Sequence, residues 1–81
     1  MLSEVDRELL VSLLLGGANS PKNLSEITGR HDQSCLERLK KLEEMDLVTN
    51  KGGGVYDLTV PGANTARAVH REYSTAEQLK L

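Results

Sequence analysis

Apolar residues recur at helical spacing along the N-terminal segment. Leu2, Val5, Leu9 and Leu13 fall on one line, with Leu10 and Leu14 beside it. Ser3 stands at a capping position and Asp6 follows three residues later, as in a capping box; Glu4 and Asp6 also suit the positive end of a helix. Gly16-Gly17 ends the segment, because glycine readily takes the left-handed conformation that closes a helix. The apolar stripe is wide, so this helix is expected to be covered on more than one side.

A second helix begins at Ser20-Pro21, since proline in the first turn loses no hydrogen bond and presets φ. Leu24 and Ile27 supply its inner face, and Thr28-Gly29 closes it after about two turns. The third helix takes Asp32 as its expected cap, carries Cys35, Leu36, Leu39 and Leu42 on one stripe, and ends near Met45-Asp46. Two short helices joined by a tight glycine-containing turn form a helix-turn-helix pattern.

The period then changes. Leu47-Val48-Thr49 and the run from Val55 to Val60 are rich in β-branched residues and hold Tyr56, so they read as strands. Asn50-Lys51-Gly52-Gly53-Gly54 joins them as a hairpin. Pro61-Gly62 is expected to stop the second strand, with a final helix from about Asn64 that lines up Ala66, Val69, Tyr73, Ala76 and Leu79. The result is an α+β, mostly helical domain: three helices, a hairpin and a C-terminal helix.

Composition narrows the class. The 81 residues suffice for one domain, and a chain this short buries only about 60% of its unfolded surface. Hydrophobic residues make up 38% and charged residues 27%, which suits a folded globular domain. With two tyrosines and no Phe or Trp, the core must be aliphatic. The longest apolar run, Leu9 to Leu15, is broken by Ser12 and too short to span a bilayer; no basic region precedes it as in a signal peptide. One cysteine and two histidines are too few for the usual structural zinc sites. A cytoplasmic protein without metal or other cofactor is the expectation. The net charge of -2 excludes a strongly basic DNA-binding chain.

Three segments, Ser20 to Gly29, Leu36 to Val48 and Gly54 to Thr59, occur in the order and spacing of a known fold. They resemble the winged helix-turn-helix domain of the MarR/ArsR-type transcription regulators, in which a run like Arg38-Leu39-Lys40-Lys41-Leu42-Glu43-Glu44 leads from the recognition helix into the wing. The chain is most similar to short haloarchaeal, phage-repressor-type proteins with a glycine-rich wing. Residues 1–62 would be the winged-helix core and 63–81 a C-terminal helix used for dimerisation. The resemblance implies a small, repressor-like regulator that binds double-stranded DNA. Family members usually carry Ser or Thr where His31 stands and basic or hydroxyl residues along the following turns, whereas this chain has Asp32 and Glu37.

On a helical wheel the third helix turns Gln33, Ser34, Glu37 and Lys41 outward, flanked by Arg38 and Lys40. In a major groove Gln33 would pair with adenine, Arg38 or Lys41 would reach phosphate or guanine, and Glu37 would accept from cytosine N4. The structural alternative is a solvated face with a Glu37–Lys41 pair at i, i+4. Arg30 and His31 precede the third helix, and Lys22 opens the second, where helix N-termini attract phosphate. Lys51 in the hairpin would reach the DNA backbone or the minor groove. Cys35 lies on the inward stripe, away from the exposed, electropositive setting of reactive thiols.

No phosphate-binding glycine motif or nucleophile–base spacing appears, so no enzyme is expected. The chain is short for a pocket able to hold a small-molecule effector. A winged-helix module that docks a protein is the rival to DNA binding. From Lys22 to Lys51, Lys22, Arg30, Arg38, Lys40, Lys41 and Lys51 balance Glu26, Asp32, Glu37, Glu43, Glu44 and Asp46. A positive stripe along the third helix and wing would favour DNA, and an evenly mixed surface would favour a protein. A homodimer is expected through the surplus apolar residues of the first and last helices: Leu10, Leu14, Ala66, Val69, Tyr73 and Ala76.

Overall fold

The computed structural model describes the backbone of residues 1–79 and the side chains of residues 1–73. Its elements run α1 (Glu4–Gly16), α2 (Pro21–Thr28), α3 (Asp32–Glu44), β1 (Val48–Asn50), β2 (Tyr56–Leu58) and α4 (Val60–Leu79). The expected order of helices and hairpin is present, and so is the mostly helical α+β architecture.

The first two helices start as their sequences dictate. The Ser3 hydroxyl accepts from the Asp6 N–H while the Asp6 carboxylate accepts from the Ser3 N–H, a complete capping box. Ser20 caps α2 through the Asn23 N–H, with Pro21 in the first turn, and Gly29 ends it in the left-handed conformation. The third start differs from expectation. His31 occupies the cap position without a side-chain hydrogen bond, and Asp32 is already helical. Asp32 is drawn away from capping because its carboxylate accepts from the buried Ser25 hydroxyl, which pins α2 to α3.

The core is aliphatic around one tyrosine. Leu9, Leu10 and Leu13 of α1 meet Leu24, Cys35, Leu39 and Leu42, closed by Val48, Tyr56 and Ala66. Ile27, expected on the inner face of α2, is instead exposed: only Leu24 and Ser25 of this two-turn helix are buried. Cys35 lies wholly inside, as its stripe indicates.

β1 and β2 pair antiparallel, with Thr49 opposite Asp57. The Lys51 N–H donates to the Val55 carbonyl at 2.7 Å, and Gly52, Gly53 and Gly54 all take positive φ in the intervening turn. A third segment joins them. Asn19, between α1 and α2, exchanges two backbone hydrogen bonds with Tyr56, at 2.9 and 2.8 Å, so the hairpin is stitched to the helical layer.

α4 begins four residues before its expected start at Asn64. Thr59 precedes it, and its hydroxyl accepts from the Gly62 N–H at 3.0 Å while donating to the Asp46 carbonyl at 2.6 Å. Pro61 therefore sits in the first turn of a helix, where proline is tolerated, and does not end a strand. Val60, read as the end of the second strand, is helical and exposed. Gly62 lies directly against the chain entering β1: a Cβ there would stand 1.7 Å from the Leu47 carbonyl oxygen. Gly62→Ala would gain about 1 kcal/mol by helix propensity alone. The collision with backbone reverses this, and urea denaturation is expected to report a net loss of about 1–3 kcal/mol. A more stable Gly62→Ala protein would show that the α4–β1 approach is looser than described.

Candidate nucleic-acid interface

The helix-turn-helix is held to the rest of the domain by two arginines that reach α1. One edge of the Arg38 guanidinium grips both carboxylate oxygens of Asp6, Nε to Oδ1 at 2.7 Å and a terminal nitrogen to Oδ2 at 2.8 Å. Asp6 is fully buried. Arg30, in the turn before α3, grips Glu8 in the same way at 3.3 and 2.7 Å, but both partners are partly exposed. Arg38 was expected on the flank of the outward face as a free cation. In the structure it turns back to α1 because the alternative is a buried carboxylate with no cation.

Electrostatics follow from these contacts. Burial acts to raise the Asp6 pKa, but the Arg38 hydrogen bonds, the Ser3 N–H and the Arg38 charge together outweigh it, and the net direction is down. Glu8 raises the Arg30 pKa, and Asp6 does the same for Arg38. Burial pushes the Cys35 thiol up, and the Thr28 hydroxyl lies 3.9 Å from Sγ.

The outward face is formed by exposed His31, Gln33, Ser34, Glu37, Lys40 and Lys41 on α3, with Lys22 exposed on α2 and Lys51 exposed in the hairpin turn. The Gln33 amide donates to Glu37 at 3.3 Å. Lys41 faces Glu44 at 3.7 Å, so the anticipated Glu37–Lys41 pair is replaced by two others. Glu43 accepts from the Asn50 N–H and joins α3 to the hairpin. Both signs occur along the exposed residues Asp32, Glu37, Lys40, Lys41, Glu43 and Glu44, and α1 neutralises Arg30 and Arg38. The surface is mixed rather than a positive stripe.

Three residues expected at a dimer contact are committed elsewhere. Leu10 and Ala66 are fully buried and Val69 nearly so, because α1 and α4 cover each other within one chain. That packing consumes most of the apolar surplus expected to join two chains. Leu14 is half-buried, Tyr73 is exposed, and the Ala76 side chain lies outside the described residues. Glu8, Val11, Ser12, Ile27, Thr28 and Tyr73 line an open groove of about 260 Å³. Among the described residues, no helix is long and apolar enough to cross a membrane, and no cluster of His, Cys, Asp and Glu is placed to hold a metal ion.

Asp6 and Glu8 were not singled out from sequence as partners of the helix-turn-helix. Their only signal is the presence of acids on a helix whose other faces are strongly apolar.

Removing Arg38 is expected to destabilise the fold. Arg38→Ala strands a buried carboxylate, and a loss on the order of 2–3 kcal/mol is expected, below the roughly 3–5 of a fully buried pair because Arg38 is partly solvated. Since the folded pKa of Asp6 is depressed, its contribution is complete above the unfolded value near about 4 and fades as pH falls through the lower folded value. In Arg38→Ala the depressing partner is gone and burial remains, so acid unfolding should begin at higher pH. Superimposable acid-unfolding curves, followed by circular dichroism, would contradict the assignment.

Comparisons with known proteins agree with this geometry. No protein-family profile and no curated protein matches the chain. Among solved structures, the MarR family protein Rv2887 of Mycobacterium tuberculosis superposes with a TM-score of 0.76 at 24% identity, over 99% of this chain and 63% of its own. The quinone-bound YodB of B. subtilis superposes with a TM-score of 0.69 at 27% identity, over 86% of this chain and 79% of its own. This chain thus spans less than two thirds of the mycobacterial protein's length. Four helices and a paired hairpin in this order, superposing on those proteins, make the fold a MarR-type winged helix.

Proposed function

We propose that this protein is a small, repressor-like transcription regulator that binds double-stranded DNA sequence-specifically as a cytoplasmic homodimer. The observation that carries the reading is the exposed row Gln33, Ser34, Glu37 and Lys41 on α3, the second helix of a helix-turn-helix braced against α1. In such a motif the second helix enters the major groove. Gln33 and Glu37 are then the base readers, toward adenine and cytosine, while Lys22, Lys41 and Lys51 meet phosphate and His31 and Ser34 lie at the edge of the contact. Arg38 takes a supporting place, fixing the angle of α3. The MarR family standing of the mycobacterial neighbour supports a regulatory role. A two-fold dimer sets two recognition helices about 34–36 Å apart and doubles the phosphate contacts of a weakly basic chain. Tyr73 and the exposed Leu15, with half-buried Leu14, are apolar residues of α1 and α4 available to join two copies.

The mixed charges along α3 favour a second reading, in which the same face docks a protein of mixed charge.

Selection of duplexes from the source genome at stated salt, followed by gel-shift titration, separates the two readings. Lys22→Ala and Lys41→Ala should each weaken binding to all sequences and lower the slope of log K against log salt by about 0.9. Gln33→Ala should instead relax preference at one base pair, by roughly 1–3 kcal/mol. Sedimentation equilibrium should report twice 8.9 kDa, reduced to a monomer by Tyr73→Glu. No enriched duplex, or three variants indistinguishable from wild type, would transfer α3 to the protein-docking account.

A further inference from the structure

We infer that Glu8 competes with DNA for Arg30, so that binding exchanges a carboxylate of α1 for a phosphate of the duplex. The inference rests on the DNA-binding reading above and concerns how that surface is held before the duplex arrives. Arg30 and Arg38 both reach α1 acids with forked geometry, yet their surroundings differ. The Asp6 side chain is 1% exposed, so Arg38 cannot leave without stranding a buried charge. Side-chain exposure is 38% for Arg30 and 27% for Glu8, so water can rehydrate either group on parting. Exposed ion pairs of this kind contribute little to stability, and their partners exchange readily.

Position gives the exchange a direction. Arg30 lies in the turn immediately before α3, tethered by its own N–H to the Thr28 hydroxyl at 3.3 Å. That turn travels with α3 to the DNA surface, whereas Glu8 sits on α1 behind it. A guanidinium fork fits two carboxylate oxygens or the two non-bridging oxygens of a phosphodiester, each group bearing one negative charge, and the row of phosphates along a duplex supplies the stronger field. Glu4 also lies within electrostatic reach of Arg30, but Glu8 alone bonds it. With Glu8 in place, a phosphate captured by Arg30 leaves the carboxylate without its partner, and the net gain is small. Without it, Arg30 is a free cation at the interface. Glu8 thereby holds down the affinity of the free protein for every duplex.

The test is a double-mutant cycle on DNA binding using Glu8→Gln, Arg30→Ala and the pair, titrated from low to high salt against a genome-selected duplex. Glu8→Gln should bind roughly five- to tenfold more tightly at 0.1 M salt with a slope close to that of wild type, because Arg30 meets the same phosphate without first parting from a carboxylate. Arg30→Ala alone should change little, and in its background the Glu8→Gln gain should disappear. A gain that persists without Arg30 would mark a general field effect of one lost charge and overturn the exchange. Weaker binding by Glu8→Gln would make Glu8 a brace for the turn, which also overturns it. If neither wild type nor Glu8→Gln binds any duplex, the DNA reading falls and the exchange with it; if all bind alike, only the exchange falls. Circular dichroism melts confirm that each variant remains folded, which the half-exposed pair predicts.

Discussion

One buried carboxylate organises this small domain. Asp6 closes the capping box that starts α1 and, with its remaining acceptor capacity, receives two parallel hydrogen bonds from one edge of the Arg38 guanidinium in the middle of α3. A charge fully removed from water is tolerated only when paired and hydrogen-bonded. The pairing therefore fixes where α3 lies along α1. Leucine packing alone specifies that less sharply, because Leu9, Leu10, Leu13, Leu39 and Leu42 offer many near-equivalent contacts. In a core with one buried aromatic ring, a directional polar bond supplies the register.

The same helix sets the electrostatic character of the outward face of α3. By drawing Arg38 inward and covering Arg30 with Glu8, α1 withdraws two arginines and leaves lysines beside the exposed acids of α3. In the proposed DNA-binding role a surface so balanced would obtain little affinity from counter-ion release, and discrimination would come from groups such as Gln33 and Glu37. The hairpin is placed by independent means: Asn19 pairs with Tyr56 on one side, and Glu43 caps the Asn50 N–H on the other. α3 and the hairpin are thus both indexed to α1 and its following turn.

The features legible in the sequence are those whose causes are local. Ser3 with Asp6, Ser20 with Pro21 and the left-handed Gly29 act within one helical turn, and all three boundaries appear where those residues place them. The inward stripe of α3 followed from periodicity alone. Features decided at a distance were misread. Pro61-Gly62 looks like a break, yet Thr59 caps a helix there and Gly62 exists to let the Leu47 backbone pass. Ile27 matches the helical period of α2, but the helix presents too narrow a face for it to be covered. Arg38 and Asp6 are 32 residues apart, and Arg30 and Glu8 are 22 apart, so no local pattern links them. Asp46 holds the positive φ that follows the end of α3, with only its short polar side chain to ease it. The candidate site was therefore legible as a list of outward residues, and illegible as a charge distribution.

The central claim is that α3, indexed by Asp6 and Arg38, is the surface that meets a duplex. Titration of isotope-labelled protein with a genome-selected duplex, followed by amide resonances, tests it most directly. The account predicts that the largest shifts fall on Gln33, Ser34 and Glu37 with a second group around Lys51, while amides of α1 facing the core stay in place. Shifts centred on the groove between Val11, Ile27 and Tyr73, or none at all on α3, would contradict it.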